Sequence, residues 1–142
     1  MNLATPARVR KRLATDKGTI EIYFLSPEVV LQRATGQADL AHAQAIATTL
    51  QAAIDGGARI AIFDDFSALE GYTSEARIEL TTWTRASLPK IASIHILVKS
   101  KIVSMGVAVA NIALRNVNSY TDRAPFDAAI MRALDTPVSR HV

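Results

Sequence analysis

Cysteine is absent from this 142-residue chain. That excludes disulfides, thiolate zinc sites and thiol catalysis together, and it fits a reducing compartment. Aromatic residues are scarce, at 6%. They are not interleaved with basic residues, which argues against a stacking platform for nucleic acid. No apolar run reaches the roughly 20 residues that span a bilayer. The N-terminal MNLATPARVRKRLATDKG lacks the apolar core of a signal peptide. A cytoplasmic protein without a membrane span is the expectation. No glycine-rich phosphate loop is present, since Gly56-Gly57 reads as a helix stop. Ser67 has no nucleophile elbow around it. His42, His95 and His141 fall on a helix, a strand and a tail, without metal-ligand spacing. No cofactor is expected, and an enzyme is disfavoured.

What is present is a globular composition, 49% hydrophobic and 20% charged, sized for one domain with one core. The net charge is +3. Part of the excess sits in Arg8, Arg10, Lys11 and Arg12, where a solvated strand or frayed tail is favoured over a nucleic-acid or acidic-partner site. Residues 1–17 are read as this basic segment, 18–136 as the domain and 137–142 as a tail.

GTIEIYFLS, from Gly18, alternates apolar and polar residues as a strand does. VVLQRAT, from Val29, is a second strand joined to it by a hairpin. Asp39 is placed to cap a helix reaching about Asp55. RIAIFDDF, Arg59 to Phe66, is apolar without alternation, as in a central strand covered on both faces. A short loop and a helix over Ser74–Ser87 follow, ended by Pro89. SIHILVKS is the next strand. KIVSMGVAVANIALR is a helix capped by Ser100, NVNSYTD a weak last strand, and APFDAAIMRALD a closing amphipathic helix. The order β-β-α-β-α-β-α-β-α requires a layered α/β domain, with a mixed sheet of about five strands and about four helices.

This order resembles the STAS-like domains, which include the bacterial anti-sigma-factor antagonists, over roughly Gly18 to Leu134. IAIFDDFSAL is similar to that group's third strand ending in an Asp-x-Ser run, here Asp65-Phe66-Ser67. YTSEA lies where the group begins its second helix, and SIHILVKSKIVSMGVAVANIAL resembles its next strand and apolar third helix. The resemblance implies a regulatory module with a protein partner, kinase-like or sigma-regulator-like. It also implies a phosphate acceptor at the second helix start, where Ser74 matches the acceptor. Thr73 replaces the group's Asp, and its Gly is absent. Lipid-binding domains of the CRAL-TRIO-like type share this topology.

Several side chains are weighed on their own chemistry. Ser74 and Thr73 are phosphorylation candidates. A helix N-terminus favours a phosphate, Glu75 opposes one, and plain capping by either residue is the simpler reading. Asp64 and Asp65 are adjacent on a strand and point to opposite faces. They are not a facing acid–base pair, although either could serve a hydrolase or transferase site at the strand's edge. With Lys99 and Lys101 they are candidates for a polar ligand edge. In the helix after Ser100, only Ser104 and Asn111 interrupt the apolar run. Its surplus apolar surface is either buried within the chain, offered to a second copy or partner through Met105, Gly106, Val107, Val109, Ala110 and Ala113, or used to bind a small lipid-like ligand.

Overall fold

The computed structural model describes residues 9–101, 103–104 and 117–135. Six strands form one sheet in sequence order: β1 (Val9–Ala14), β2 (Gly18–Ser26), β3 (Val29–Ala38), β4 (Ile60–Tyr72), β5 (Ile91–Val98) and β6 (Val117–Tyr120). β1, β2 and β3 pair antiparallel, while β3 through β6 run parallel. The described helices are α1 (Leu40–Asp55), α2 (Ser74–Ser87) and α3 (Arg123–Asp135). The mixed α/β sandwich expected from the element order is therefore what forms.

The sheet has six strands rather than the expected five or so. The added one is β1, which comes from the basic segment. It is an edge strand, exposed almost throughout. Its Arg and Lys side chains discourage another chain from pairing there. They also have local partners. Arg12 pairs with Glu21 at 3.3 Å, and the Arg10 guanidinium lies 4.4 Å from the centre of the Phe24 ring.

β4 departs from the sequence reading. It continues past Phe66 to Tyr72, where a loop was expected, because the far end of β3 also extends and pairs with it. Thr35 lies beside Ala68, Gln37 beside Gly71 and Ala38 beside Tyr72. Register shifts near Thr35 and Gly36 let the pairing continue. Gly36 has a φ of +72°, and a Cβ there would lie 2.5 Å from the Lys17 carbonyl oxygen. Only glycine permits that approach.

Asp39 caps α1 as its sequence position implies. Its side chain accepts from the Ala41 N–H at 3.0 Å and the His42 N–H at 3.3 Å. His42 Nδ1 in turn accepts the Asp39 backbone N–H at 3.0 Å, completing a capping box with histidine in the place usually held by Glu or Gln. His42 Nε2 lies 3.0 Å from the Gly18 carbonyl. A carbonyl can only accept, so Nε2 carries the proton and Nδ1 is the free acceptor.

The sheet is covered on both faces. Ile20, Ile22, Val30, Ile60, Ile62, Ile94 and Ile96 pack with Ile46 and Leu50 of α1 and with Leu80 and Trp83 of α2. Leu31, Phe63 and Leu97 pack with Phe126, Ala129 and Ile130 of α3 on the other side. The Trp83 indole N–H donates to Gln51 Oε1 at 2.9 Å, tying α2 to α1.

A helix begins after Ser100, as expected. Lys101, Val103 and Ser104 are helical, and the Ser104 N–H donates to the Ser100 carbonyl at 2.9 Å. The proposed interaction residues Met105, Gly106, Val107, Val109, Ala110 and Ala113 lie outside the described residues, as do Arg8 and His141. No described helix is long and apolar enough to cross a membrane.

Candidate functional site

Two polar pairs sit side by side on β3 and β4, in the middle of the six-stranded mixed sheet. Gln32 is in register with Asp64, and Arg33 with Asp65. Alternation along each strand sends the first pair beneath α1 and α2 and the second toward α3. The divergence expected for the two aspartates is present, and each has its own neighbourhood.

Asp65 joins a compact charged cluster. Arg123, the first residue of α3, donates to Asp65 Oδ2 at 2.9 Å. Arg33 Nε approaches the same oxygen at 3.6 Å. The Ser67 hydroxyl donates to Oδ1 at 2.6 Å and its N–H at 3.2 Å. Arg123 also reaches Ser67 Oγ at 3.1 Å. Burial pushes the Asp65 carboxyl up, but the Ser67 and Arg123 hydrogen bonds outweigh burial and hold it below the usual range. The Asp-x-Ser run thus fastens α3 to the sheet. Nearby, His95 stacks on Phe63 with ring centres 4.3 Å apart, and its Nδ1 lies 2.8 Å from the Tyr120 hydroxyl. Burial, with a smaller contribution from the Arg132 charge, pushes His95 down to about 4. It is neutral at pH 7.

Asp64 is in a different medium. Both it and Gln32 are buried, Gln32 to 2% exposure. Gln32 Nε2 donates to Asp64 Oδ1 at 2.6 Å, and Gln32 Oε1 is a buried acceptor with no partner. Burial raises the Asp64 carboxyl to about 7, against the opposing hydrogen bond from Gln32. The pair faces a cavity of about 150 Å³ between the sheet and α1 and α2. Its wall is mostly apolar, with Ile62, Ile96, Leu50, Leu80 and Trp83 among the lining residues.

At the start of α2, Thr73 is the cap, and its hydroxyl accepts the Ala76 N–H at 3.1 Å. Ser74 is the first helical residue and is exposed. Ile78 follows one turn later on the same face and is 55% exposed, unusual for a large aliphatic side chain. Lys99 and Lys101 are both exposed, and Lys99 donates to the Thr121 carbonyl at 2.6 Å. Of the residues proposed for a polar edge, Asp64 faces away from the others, while Asp65 and Lys99 are bound to Arg123 and Thr121, two residues apart in the segment that opens α3.

Among the described residues, no group of three His, Asp or Glu side chains is arranged to hold a metal. Sequence reasoning missed Gln32 and Arg33 as functional positions. The available signal was a Gln-Arg step inside the apolar run VVLQRAT, the counterpart of the Asp-Asp step in IAIFDDF.

No family model and no curated protein matches the chain. Solved structures do. An uncharacterised DUF3478-family protein from Shewanella loihica with a SpoIIAA-like fold is 14% identical, with a TM-score of 0.60 over 83% of this chain and 98% of that one. An anti-sigma factor antagonist from Mycobacterium paratuberculosis is 16% identical, with a TM-score of 0.58 over 83% of this chain and 97% of that one. These likenesses give the chain a STAS-like, SpoIIAA-like fold.

Proposed function

We propose that this protein is a non-catalytic regulatory module that binds another protein through the exposed face of α2. The observation that carries this reading is Ile78, a large aliphatic side chain 55% exposed on the same helix face as exposed Ser74. A partner covering Ile78 would recover the hydrophobic free energy of its exposed part, about 0.8–1.7 kcal/mol if burial became complete. The fold shared with an anti-sigma factor antagonist supports a regulatory role.

Ser74 is the proposed control point. Thr73 already caps the helix, so the Ser74 hydroxyl is spared that duty. A phosphate there would add nearly two negative charges at the positive end of the helix, beside Ile78. Glu75 reduces the gain by repulsion. A partner that accepts an apolar residue in an uncharged pocket would be expelled by that charge. A kinase acting on Ser74 and a sigma-regulator-like protein docking on Ile78 are the partners this reading names.

The test joins partner capture with phosphopeptide mapping on protein purified from its source cells. The expected result is a specific protein retained by the wild type, lost with Ile78→Glu at unchanged circular dichroism, and weakened about tenfold or more by Ser74→Glu. Equal retention by wild type and Ile78→Glu refutes the surface. An unmodified Ser74 under all growth conditions refutes the switch.

A further inference from the structure

The cavity beneath α1 and α2 combines three features. It is mostly apolar, it has a volume of about 150 Å³, and it contains the Gln32–Asp64 pair in its wall. Gln32 Oε1 is a buried acceptor to which no protein donor is directed, so its desolvation cost is not offset by the protein. An apolar molecule with no donor would leave that cost in place. A donor entering the cavity would remove it. The size is also informative, since a cavity of about 150 Å³ with apolar walls accommodates benzene.

We infer that this cavity binds a small, neutral, monohydroxylated apolar molecule of about benzene size, whose hydroxyl donates to Gln32 Oε1 and accepts from Asp64. A hydroxyl suits the pair because it donates and accepts through one atom. The Asp64 carboxyl, protonated up to about pH 7 by its burial, supplies the matching O–H. Among the described residues, its only side-chain partner is Gln32. Both ring nitrogens of His42 are occupied, by Asp39 and Gly18. Arg77 is the one described cation in the wall, and an anion drawn to the Gln32–Asp64 end would meet a carboxyl group instead.

Phenol, toluene and benzoate are suitable probes for titration calorimetry on the full chain. Phenol is expected to bind about fivefold or more tighter than toluene, the low end of what satisfying the orphan acceptor is worth. Gln32→Met should bring phenol down to the toluene affinity. Ala76→Leu, which adds bulk to the cavity wall, should abolish binding of both. Nuclear Overhauser effects from phenol to Ile62 and Leu80 in the wild type place the ligand without relying on a variant. Equal affinity for phenol and toluene overturns the inference. So does preference for benzoate, which would move recognition to Arg77, or no binding of phenol at its solubility limit.

Discussion

Replacing Asp64 with Asn should change the pH dependence of stability in one direction only. Burial raises the Asp64 carboxyl from 3.8 to about 7, so the folded state holds a proton that the unfolded state releases. Its contribution is fully present below the unfolded value and is lost as pH rises through about 7. Linkage puts the loss between pH 5 and pH 8 at about 2.5 kcal/mol. The wild-type profile alone will not show this. His95, lowered from 6.5 to about 4, acts in the opposite sense: its contribution is present above 6.5 and is lost as pH falls through about 4. Asp39 and Asp65 are both held low, so they act below the ordinary carboxylate range, outside this window. Asn keeps the shape and the acceptor for Gln32 but cannot ionise. The difference between Asp64→Asn and wild type therefore isolates one carboxyl, because His95 is common to both. Urea titrations followed by the single tryptophan, Trp83, should find the stability of the variant relative to wild type rising by about 2.5 kcal/mol between pH 5 and pH 8, a large share of a typical domain's total. A difference that changes by less than about 0.5 kcal/mol across the window would refute the reasoning, because it would mean that Asp64 is solvated and titrates normally.

The two ends of the molecule offer further checks. Thr73→Ala removes the α2 cap and should cost about 1 kcal/mol, whereas Ser74→Ala should fall within about 0.5 kcal/mol of wild type. Chemical denaturation distinguishes them, and a reversed order would assign the cap to Ser74. Arg123→Ala strips Asp65 of its closest cationic partner and should destabilise by about 1–3 kcal/mol, with Ser67 and Arg33 retaining part of the compensation. The loss should be larger at pH 7 than at a pH low enough to protonate Asp65, which lies below the ordinary carboxylate range, because a neutral carboxyl needs the cation less. An equal loss at both would mean that Arg123 contributes by packing.

Much of the architecture was legible because period and punctuation agreed. Asp39 before an apolar periodicity and Gly56-Gly57 after it bound α1 closely. Thr73 and Pro89 did the same for α2. Where the two signals parted, boundaries moved. β4 runs through Ser67, Glu70 and Gly71, residues that read as a loop, because it gains backbone partners from the bent end of β3 at Gly36. Such pairing is non-local and leaves no local pattern. β1 was hidden for a related reason. Its charges look like a solvated tail, yet a charged edge strand has the same composition.

The site was legible by half. The Asp-Asp step announced that two carboxylates would part company, since alternation is a property of any strand. What each would meet depended on which residues of β3 lay alongside, and register is set by the whole hairpin and crossover. A shift of one residue would set Arg33 against Asp64 and turn the buried cavity pair into a buried ion pair. The observed register instead gives the α3 side both arginines and the α1–α2 side a neutral amide. The same two letters of sequence thus become a carboxylate kept ionised by Arg123 and Ser67 and a carboxyl kept protonated by apolar walls. One aspartate fastens a helix. The other remains in a cavity with an unmet acceptor beside it. Structural fastening and ligand capacity are separated here by one step of the β-strand pleat, and a substitution at Asp64 should leave the α3 anchor intact.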